Sequence, residues 1–181
     1  MRMLVALVLM VAFAAPAAAA KNDIRGLTIG MTPEQVRAAF ADCKHQDPAN
    51  VWQSAQDSAG TWIGSSVMTC RVPGEPDSAL RVTFTSALSG KVACRIEYQF
   101  YSPWTTDALV GDVMAQFGVG KPREQAAVRI WHLSSDVSLE LTAYMQQKTL
   151  GLRNDDLCDR DKQAVANQKA ALQNGAPAPT F

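Results

Sequence analysis

Two stretches of the chain repeat apolar residues at helical spacing, and each begins with a residue that is typical of a helix N-cap. In the first stretch, Thr32 precedes a proline, and Gln35 completes a capping box three residues after the cap. Val36 and Phe40 then fall on one face of a helical turn. The pattern predicts a helix over 33–41.

The second stretch begins after Thr105, which is the candidate N-cap. Leu109, Val113 and Phe117 follow at a spacing of four residues, and Gly118 is a natural C-terminal stop. Both helices precede runs in which apolar and polar residues alternate. The order suggests two similar units, each a helix followed by an antiparallel meander.

The alternating runs predict strands that are half-buried, with one apolar side and one polar side. Turn residues such as Pro, Gly, Ser and Asp separate them. The predicted strands are 61–72, 80–84, 91–101, 127–133 and 137–145.

A third helix is predicted after Asn154, which can cap a segment that runs to about Gln173 and is rich in Ala, Gln and Lys. Its apolar stripe is thin, because it contains only Leu157, Val165 and Leu172. We therefore expect this helix to dock weakly on the rest of the protein.

The predicted fold class is α+β. It has two helix-then-antiparallel-β-meander units in one disulfide-bonded domain, with the helices on one face of the sheet and a further helix at the C-terminus. The predicted segments are a signal peptide (1–20), the first unit (21–102), the second unit (103–153), the C-terminal helix (154–173) and a disordered tail (174–181).

The first twenty residues are typical of a cleavable signal peptide. A basic residue precedes an apolar run from Met3 to Ala15, and small residues continue to Ala20. This run is shorter than the ~20 residues that cross a bilayer, so no transmembrane segment is expected. We expect cleavage after Ala20 and a periplasmic location. Since Lys21 rather than a cysteine follows, no lipid anchor is expected.

The four cysteines support export to an oxidising compartment, because an even count in an exported chain indicates disulfides. Four cysteines allow three pairings. Cys94 lies on the apolar side of an alternating strand, and Cys70 shares its face of another predicted strand with Met68 and Val72. We favour the pairs Cys43–Cys70 and Cys94–Cys158. No C-x-x-C motif is present, which argues against a redox site.

Composition and motifs argue against several other classes of function. The chain has 17 basic and 17 acidic residues, so nucleic acid is not an expected partner. It has no G-x-S-x-G, S-x-x-K or H-E-x-x-H motif and only two histidines, His45 and His132. The acidic run over 154–161 fits a helix N-terminus. We therefore expect no catalytic, cofactor-binding or metal-binding residues and no enzymatic activity.

Two of the four tryptophans are candidate partner-binding residues. Trp52 and Trp62 flank the polar stretch 53–60, a predicted loop, where aromatic side chains can anchor an interface. Trp104 lies at a staple position before the second helix, and Trp131 lies in a strand, so these two are expected to pack.

The segment GMTPEQV at 30–36 resembles the G-M-[ST]-x-x-[EQ]-V opening of the SmpA/OmlA (BamE)-like envelope proteins. The helix-then-meander order resembles that group and also the β-lactamase-inhibitor-protein repeats. The resemblance implies a small α+β protein, with its helices on one face of an antiparallel sheet, that acts by binding other proteins.

Three functions remain after these considerations. The first is a non-enzymatic periplasmic protein that binds another envelope protein. The second is an inhibitor of a periplasmic or extracellular hydrolase, with the loop between Trp52 and Trp62 as the inserted element. The third is a small-molecule carrier or an enzyme without a recognisable motif. The oligomeric state is not predicted.

Overall fold

The computed structural model describes residues 22–46, 55–56 and 62–174, with only the backbone described at positions 55, 56 and 62. The predicted signal peptide, Trp52 and the tail beyond Asn174 lie outside these residues. The elements are α1 (Pro33–Ala39), β1 (Cys43–Gln46), β2 (Ala55–Gln56), β3 (Trp62–Ile63), β4 (Ser66–Val72), β5 (Glu75–Phe84), a 3₁₀ turn (Ala87–Ser89), β6 (Ala93–Tyr101), α2 (Thr106–Phe117), β7 (Arg123–Gln125), β8 (Val128–His132), β9 (Ser138–Tyr144), β10 (Gln147–Arg153) and α3 (Asp155–Gln173).

Eight of the strands form one antiparallel sheet in the order β1-β4-β5-β6-β10-β9-β8-β7. The short strands β2 and β3 pair separately. The strands that precede α2 make one half of the large sheet and those that follow it make the other half, with β6 paired to β10 at the junction. The mixed helical and antiparallel architecture, with two disulfides, is therefore confirmed.

The helix ends follow the capping residues. Thr32 and Gln35 form the predicted capping box, in which the Thr32 N–H donates to Gln35 Oε1 over 2.8 Å. Helix α1 ends at Ala39, two residues before its predicted end. Helix α2 begins after Thr105 and ends at Gly118, whose φ of 66° is left-handed, as a C-cap glycine commonly is.

The hydrophobic core lies against one side of the large sheet. On β5 and β6, the even-numbered side chains of Leu80, Val82 and Ile96 are fully buried. Val36 of α1 and Phe117 of α2 belong to the same cluster of buried residues. Alternation along the strands thus separates a buried side from an opposite side, as the sequence pattern predicts.

Three strands of the sheet, β1, β7 and β10, were not predicted. Strands β1 and β7 are short, polar and at the two edges. Strand β10 contains Lys148 and Gly151, which interrupt its apolar alternation. The structure also begins β5 at Glu75, five residues before the predicted strand over 80–84. These segments are strands because they pair with neighbouring strands, and their own composition does not indicate a strand.

Both disulfides join the cysteines that strand alternation favoured. Cys43 and Cys70 are opposite each other on β1 and β4, with their Cα atoms 4.0 Å apart. Cys94 at the start of β6 is joined to Cys158 of α3. The backbone N–H of Asn154, the N-cap of α3, also donates to the Cys94 carbonyl over 2.9 Å.

Helix α3 docks through polar bonds, so the expectation of weak docking from its thin apolar stripe was wrong. The buried carboxylate of Asp161 accepts hydrogen bonds from the Ser86 N–H (2.9 Å), the Ser86 hydroxyl (2.5 Å) and the Ser65 hydroxyl (3.5 Å). Val165, one turn further on, is also buried. Within the described ranges, no helix is both long and apolar enough to span a membrane.

Replacing Gly30 by alanine is expected to destabilise the protein by about 1–2 kcal/mol. Gly30 has a φ of +91°, which alanine adopts only with strain, and its N–H donates to the Ala93 carbonyl of β6 over 2.8 Å, so the backbone is held in this conformation. Gly151 is the matched control: its φ is not in the left-handed region, and an added Cβ would meet Ile96 O at 3.6 Å, an ordinary contact. Urea unfolding of both variants checks this, and equal losses would contradict it.

Candidate functional site

The side of the large sheet that faces away from the core carries polar side chains in continuous rows. We call this surface the open face and define it by three rows of opposed residues that follow from the strand register. The central row is Lys44, Thr69, Arg81, Glu97, Gly151, Glu140, Ile130 and Arg123. The flanking rows are Gln46, Val67, Thr83, Arg95, Arg153, Ser138 and His132, and Arg71, Ala79, Gln99, Thr149, Thr142, Val128 and Gln125.

The open face is accessible along its length. Of the residues in the three rows, only Gly151 is buried, and the rest are half-buried or exposed. The opposite side of the same strands contains most of the core, for example Met68, Leu80 and Leu139, each with no exposed area. The sheet therefore has one side buried in the core and one side that is accessible to solvent.

Two Arg–Glu pairs lie on either side of Gly151 at the centre of the open face. Arg95 pairs with Glu97 on β6 at 2.8 Å. Arg153 of β10 donates from Nη1 to both carboxylate oxygens of Glu140 on β9, each at 2.9 Å. The two carboxylates are only 14% and 15% exposed, because the guanidinium groups and the neighbouring strands cover them.

Arg153 also binds Asp155 at the start of α3, at 2.8 Å from Nη2. Burial lowers the pKa of the Arg153 guanidinium, but the hydrogen bond and charge of Glu140, together with the charge of Asp155, outweigh burial and raise this pKa above its ordinary value. The group is a permanent cation that connects the open face to α3.

Four large apolar side chains are exposed at one end of the sheet, and we call them the aromatic patch: Tyr101, Trp104, Tyr144 and Met145. Their exposed fractions are 62%, 56%, 73% and 81%, respectively. Tyr101 ends β6 and Tyr144 ends β9, and both lie opposite Gln147 of β10. The patch therefore continues the open face at the end where β6, β9 and β10 meet.

Hydrogen bonds from neighbouring segments hold the backbone of the turn that carries Met145. Met145 has a φ of 51°, which is uncommon for a residue with a side chain. The Lys148 ammonium group, in a residue that is only 4% exposed, donates to the Met145 carbonyl. The Ser102 N–H donates to the Gln146 carbonyl over 2.9 Å, which joins this turn to the chain that follows β6.

The two tryptophans whose side chains the structure describes differ in their exposure to solvent. Trp131 is buried as predicted, and its Nε1–H donates to the Gly120 carbonyl over 2.9 Å. Trp104 was expected to pack, but more than half of it is exposed. Trp52 lies outside the described residues, and only the backbone of Trp62 is described. Their predicted role in binding a partner therefore remains a prediction.

The sequence contained a signal for part of the aromatic patch. Along β9, Tyr144 alternates with the apolar side chains and shares parity with Ser138, Glu140 and Thr142. An aromatic residue at a polar position of an alternating strand indicates an exposed ring. Tyr101 has the same relation to Glu97 and Gln99 on β6, but the meeting of the two strands through β10 was not predicted.

The ionisable groups do not assemble into a metal centre in the part of the chain that the structure describes. No three His, Cys, Asp or Glu side chains are grouped there in a way that could hold a metal ion. His132 is exposed at the end of β8, the strand next to one edge of the sheet, and His45 is half-buried on β1, at the other edge.

The chain was compared with known proteins in three ways. No family model matches it, and neither a curated protein nor a solved structure shows significant similarity to it.

Proposed function

We propose that this chain is an exported, non-enzymatic periplasmic protein that binds another protein of the cell envelope. We infer that α1 and α2 cover the core side of the sheet, which leaves the open face and the aromatic patch for the partner. The hydrolase-inhibitor and small-molecule alternatives remain less supported, because no described feature favours them specifically.

The aromatic patch is the observation that supports this proposal. Isolated apolar side chains on a surface need no explanation, but a group of large ones commonly marks a site of protein interaction. Tyrosine, tryptophan and methionine are enriched in such sites, and the two aromatic residues bury large areas at low entropic cost. Tyr144 and Met145 lie where β9 enters a turn, and the Met145 carbonyl there accepts a hydrogen bond from Lys148. The two side chains therefore extend from a backbone that is held in place.

The first experiment places a photo-activated cross-linking amino acid at position 144 of the oxidised mature chain in its own host. A matched site is Gln163, which is exposed on α3 and far from the patch in the chain. We expect one envelope protein to be captured from position 144 and not from position 163. Capture of the same mixture from both positions, or of nothing from position 144, would contradict the proposal.

Replacing Tyr144 and Met145 together by serine is expected to weaken binding of the captured protein about 30-fold. That factor corresponds to the ~2 kcal/mol typical of one hot-spot side chain. Both residues are exposed, so folding should be unaffected. The control replaces Ala115 and Gln116, exposed on α2, by serine. Surface plasmon resonance with the purified partner measures the affinity of both variants. Equal affinity would contradict the proposal that the aromatic patch binds the partner.

A further inference from the structure

We propose that the open face binds an acidic protein surface, which identifies the chemistry of the partner. This inference rests on the proposed function, since it assigns the partner's charge and assumes that a protein partner exists. It is carried by the segregation of charge on the sheet, by the pairing of the acidic groups there, and by the cationic cavity at one edge.

The open face has an excess of positive charge although the whole chain has 17 basic and 17 acidic residues. Its three rows hold six cationic side chains but only two carboxylates, those of Glu97 and Glu140. The cationic residues are Lys44, Arg71, Arg81, Arg95, Arg123 and Arg153. The acidic residues that balance the total lie outside the three rows: Asp155 is paired with Arg153 at their border, and Asp156 and Asp159 lie further along α3.

Both carboxylates of the open face are already engaged. Glu97 is paired with Arg95 and Glu140 with Arg153, at 2.8 and 2.9 Å. Among the described residues, Lys44, Arg81 and Arg123 have no ion-pair partner. Arg81 lies opposite Glu97 in the register, but Glu97 pairs with Arg95 on its own strand. The central row thus offers free cations at β1, β5 and β7, across the full width of the sheet.

A cavity extends this charge at the β7–β8 edge. It has a volume of about 410 Å³ and is lined by Lys121, Arg123 and His132, together with the loop that begins at Gly118. No acidic residue lines it. Trp131 closes the inner wall and holds the loop through its bond to Gly120. A carboxylate that projects from the partner can be received in this cavity.

The dimensions of the open face fit a folded partner. Eight strands spaced ~4.8 Å apart span about 34 Å. The three rows, together with the adjoining row of Tyr101, Gln147 and Tyr144, span about 20 Å along the strands, which gives on the order of 700 Å². This area is close to the ~800 Å² that each partner buries in a standard protein interface. Complementary charge on such an area mainly raises the association rate and selects the partner.

The test uses the oxidised mature chain labelled with ¹⁵N and three probes: poly-L-glutamate, oligo(dT), and vesicles that contain phosphatidylglycerol. We expect poly-L-glutamate to shift the amide signals of β5, β6 and β7 and to leave those of α3 unchanged. We also expect it to bind at lower concentration than the other two probes. Stronger binding of the oligonucleotide or of the vesicles would overturn the inference in favour of a nucleic acid or a membrane.

The matched variants are Arg81→Glu on the open face and Lys162→Glu on α3, which change the net charge equally. We expect R81E to weaken poly-L-glutamate binding at least tenfold in low salt and K162E to have less than a twofold effect. The difference should shrink in 0.5 M salt, because surface charges are then screened within ~5 Å. Equal losses in the two variants would overturn the inference.

The same two variants are then measured with the protein captured from position 144. If R81E binds it normally while the Tyr144 and Met145 variant does not, the proposed function stands and the acidic partner is excluded. If position 144 captures nothing, the proposed function fails, and the probe titration still decides whether the open face prefers a carboxylate-rich chain.

Discussion

Replacing Cys94 and Cys158 together by serine is expected to lower the free energy of unfolding by about 4 kcal/mol, the largest effect predicted here. The disulfide joins residues that are 64 positions apart, and a cross-link of that span restricts the unfolded chain by about this amount in the chain-entropy model. It also holds the first turn of α3 on β6. Urea unfolding of the oxidised protein, fitted with a fixed slope, measures the loss.

The control for this variant is the other disulfide. Cys43 and Cys70 are 27 residues apart and join two strands that are already paired, so their removal is expected to cost about 3.5 kcal/mol. Hydrogen exchange separates the two cases. Loss of the Cys94–Cys158 bond should increase exchange in α3 first, whereas loss of the other should increase it in β1. Unchanged protection of α3 would mean that the disulfide does not hold this helix.

Replacing Asp161 by alanine is expected to destabilise the protein by about 3 kcal/mol. The carboxylate is 1% exposed and receives three hydrogen bonds from Ser65 and Ser86, and bonds to a charged group are worth ~1.5–3 kcal/mol each. Without it, the Ser86 N–H has lost its acceptor in a buried position, which adds a desolvation penalty. The same urea unfolding experiment measures this variant.

Asp159→Ala provides the comparison, since Asp159 lies on the same helix but is exposed and pairs only with Lys162. A surface pair of this kind contributes ~0.5 kcal/mol or less. A loss below about 1 kcal/mol for Asp161→Ala would show that α3 is held by the disulfide and Val165 alone. The double variant of Asp161 and Cys158 would then be no less stable than the disulfide variant.

The helices could be predicted from the sequence because their determinants are local. Thr32, Thr105 and Asn154 each cap a helix through bonds that reach no further than three residues along the chain. The end of α2 is equally local, since Gly118 takes the left-handed conformation that a C-cap commonly requires. Strand alternation, added to these local signals, predicted the α+β class and favoured the two disulfide pairs among the three possible pairings.

The missing strands could not be predicted because their pairing is determined by neighbours that are distant in sequence. Strand β10 places Lys148 between Phe100 and Ala143 on the core side, a position that sequence pattern assigns to an apolar residue. The long aliphatic stem of lysine can pack there while its ammonium group binds the Met145 carbonyl. The position of Lys148 is determined by the pairing of β10 with β6 and β9, which its local sequence does not reveal.

The candidate site was only partly predictable for the same reason. Alternation gives the parity of Tyr101 and Tyr144, and hence their exposure, from sequence alone. Their proximity depends on Gln147, which lies opposite both of them. The charge of the open face likewise becomes visible only when the register aligns Lys44, Arg81 and Arg123 in one row.

The strand order has a further consequence for how the sheet forms as the chain emerges from N-terminus to C-terminus. Strand β6 ends at Tyr101, but its second partner, β10, begins only at Gln147, after α2 and three other strands have emerged. The nascent first half therefore carries an unsatisfied row of backbone donors and acceptors along β6 until the last strand emerges. Such an edge can pair wrongly with other chains. Completion of the sheet is thus a late event in biogenesis, and the interval before it is when a holdase chaperone would protect this protein most.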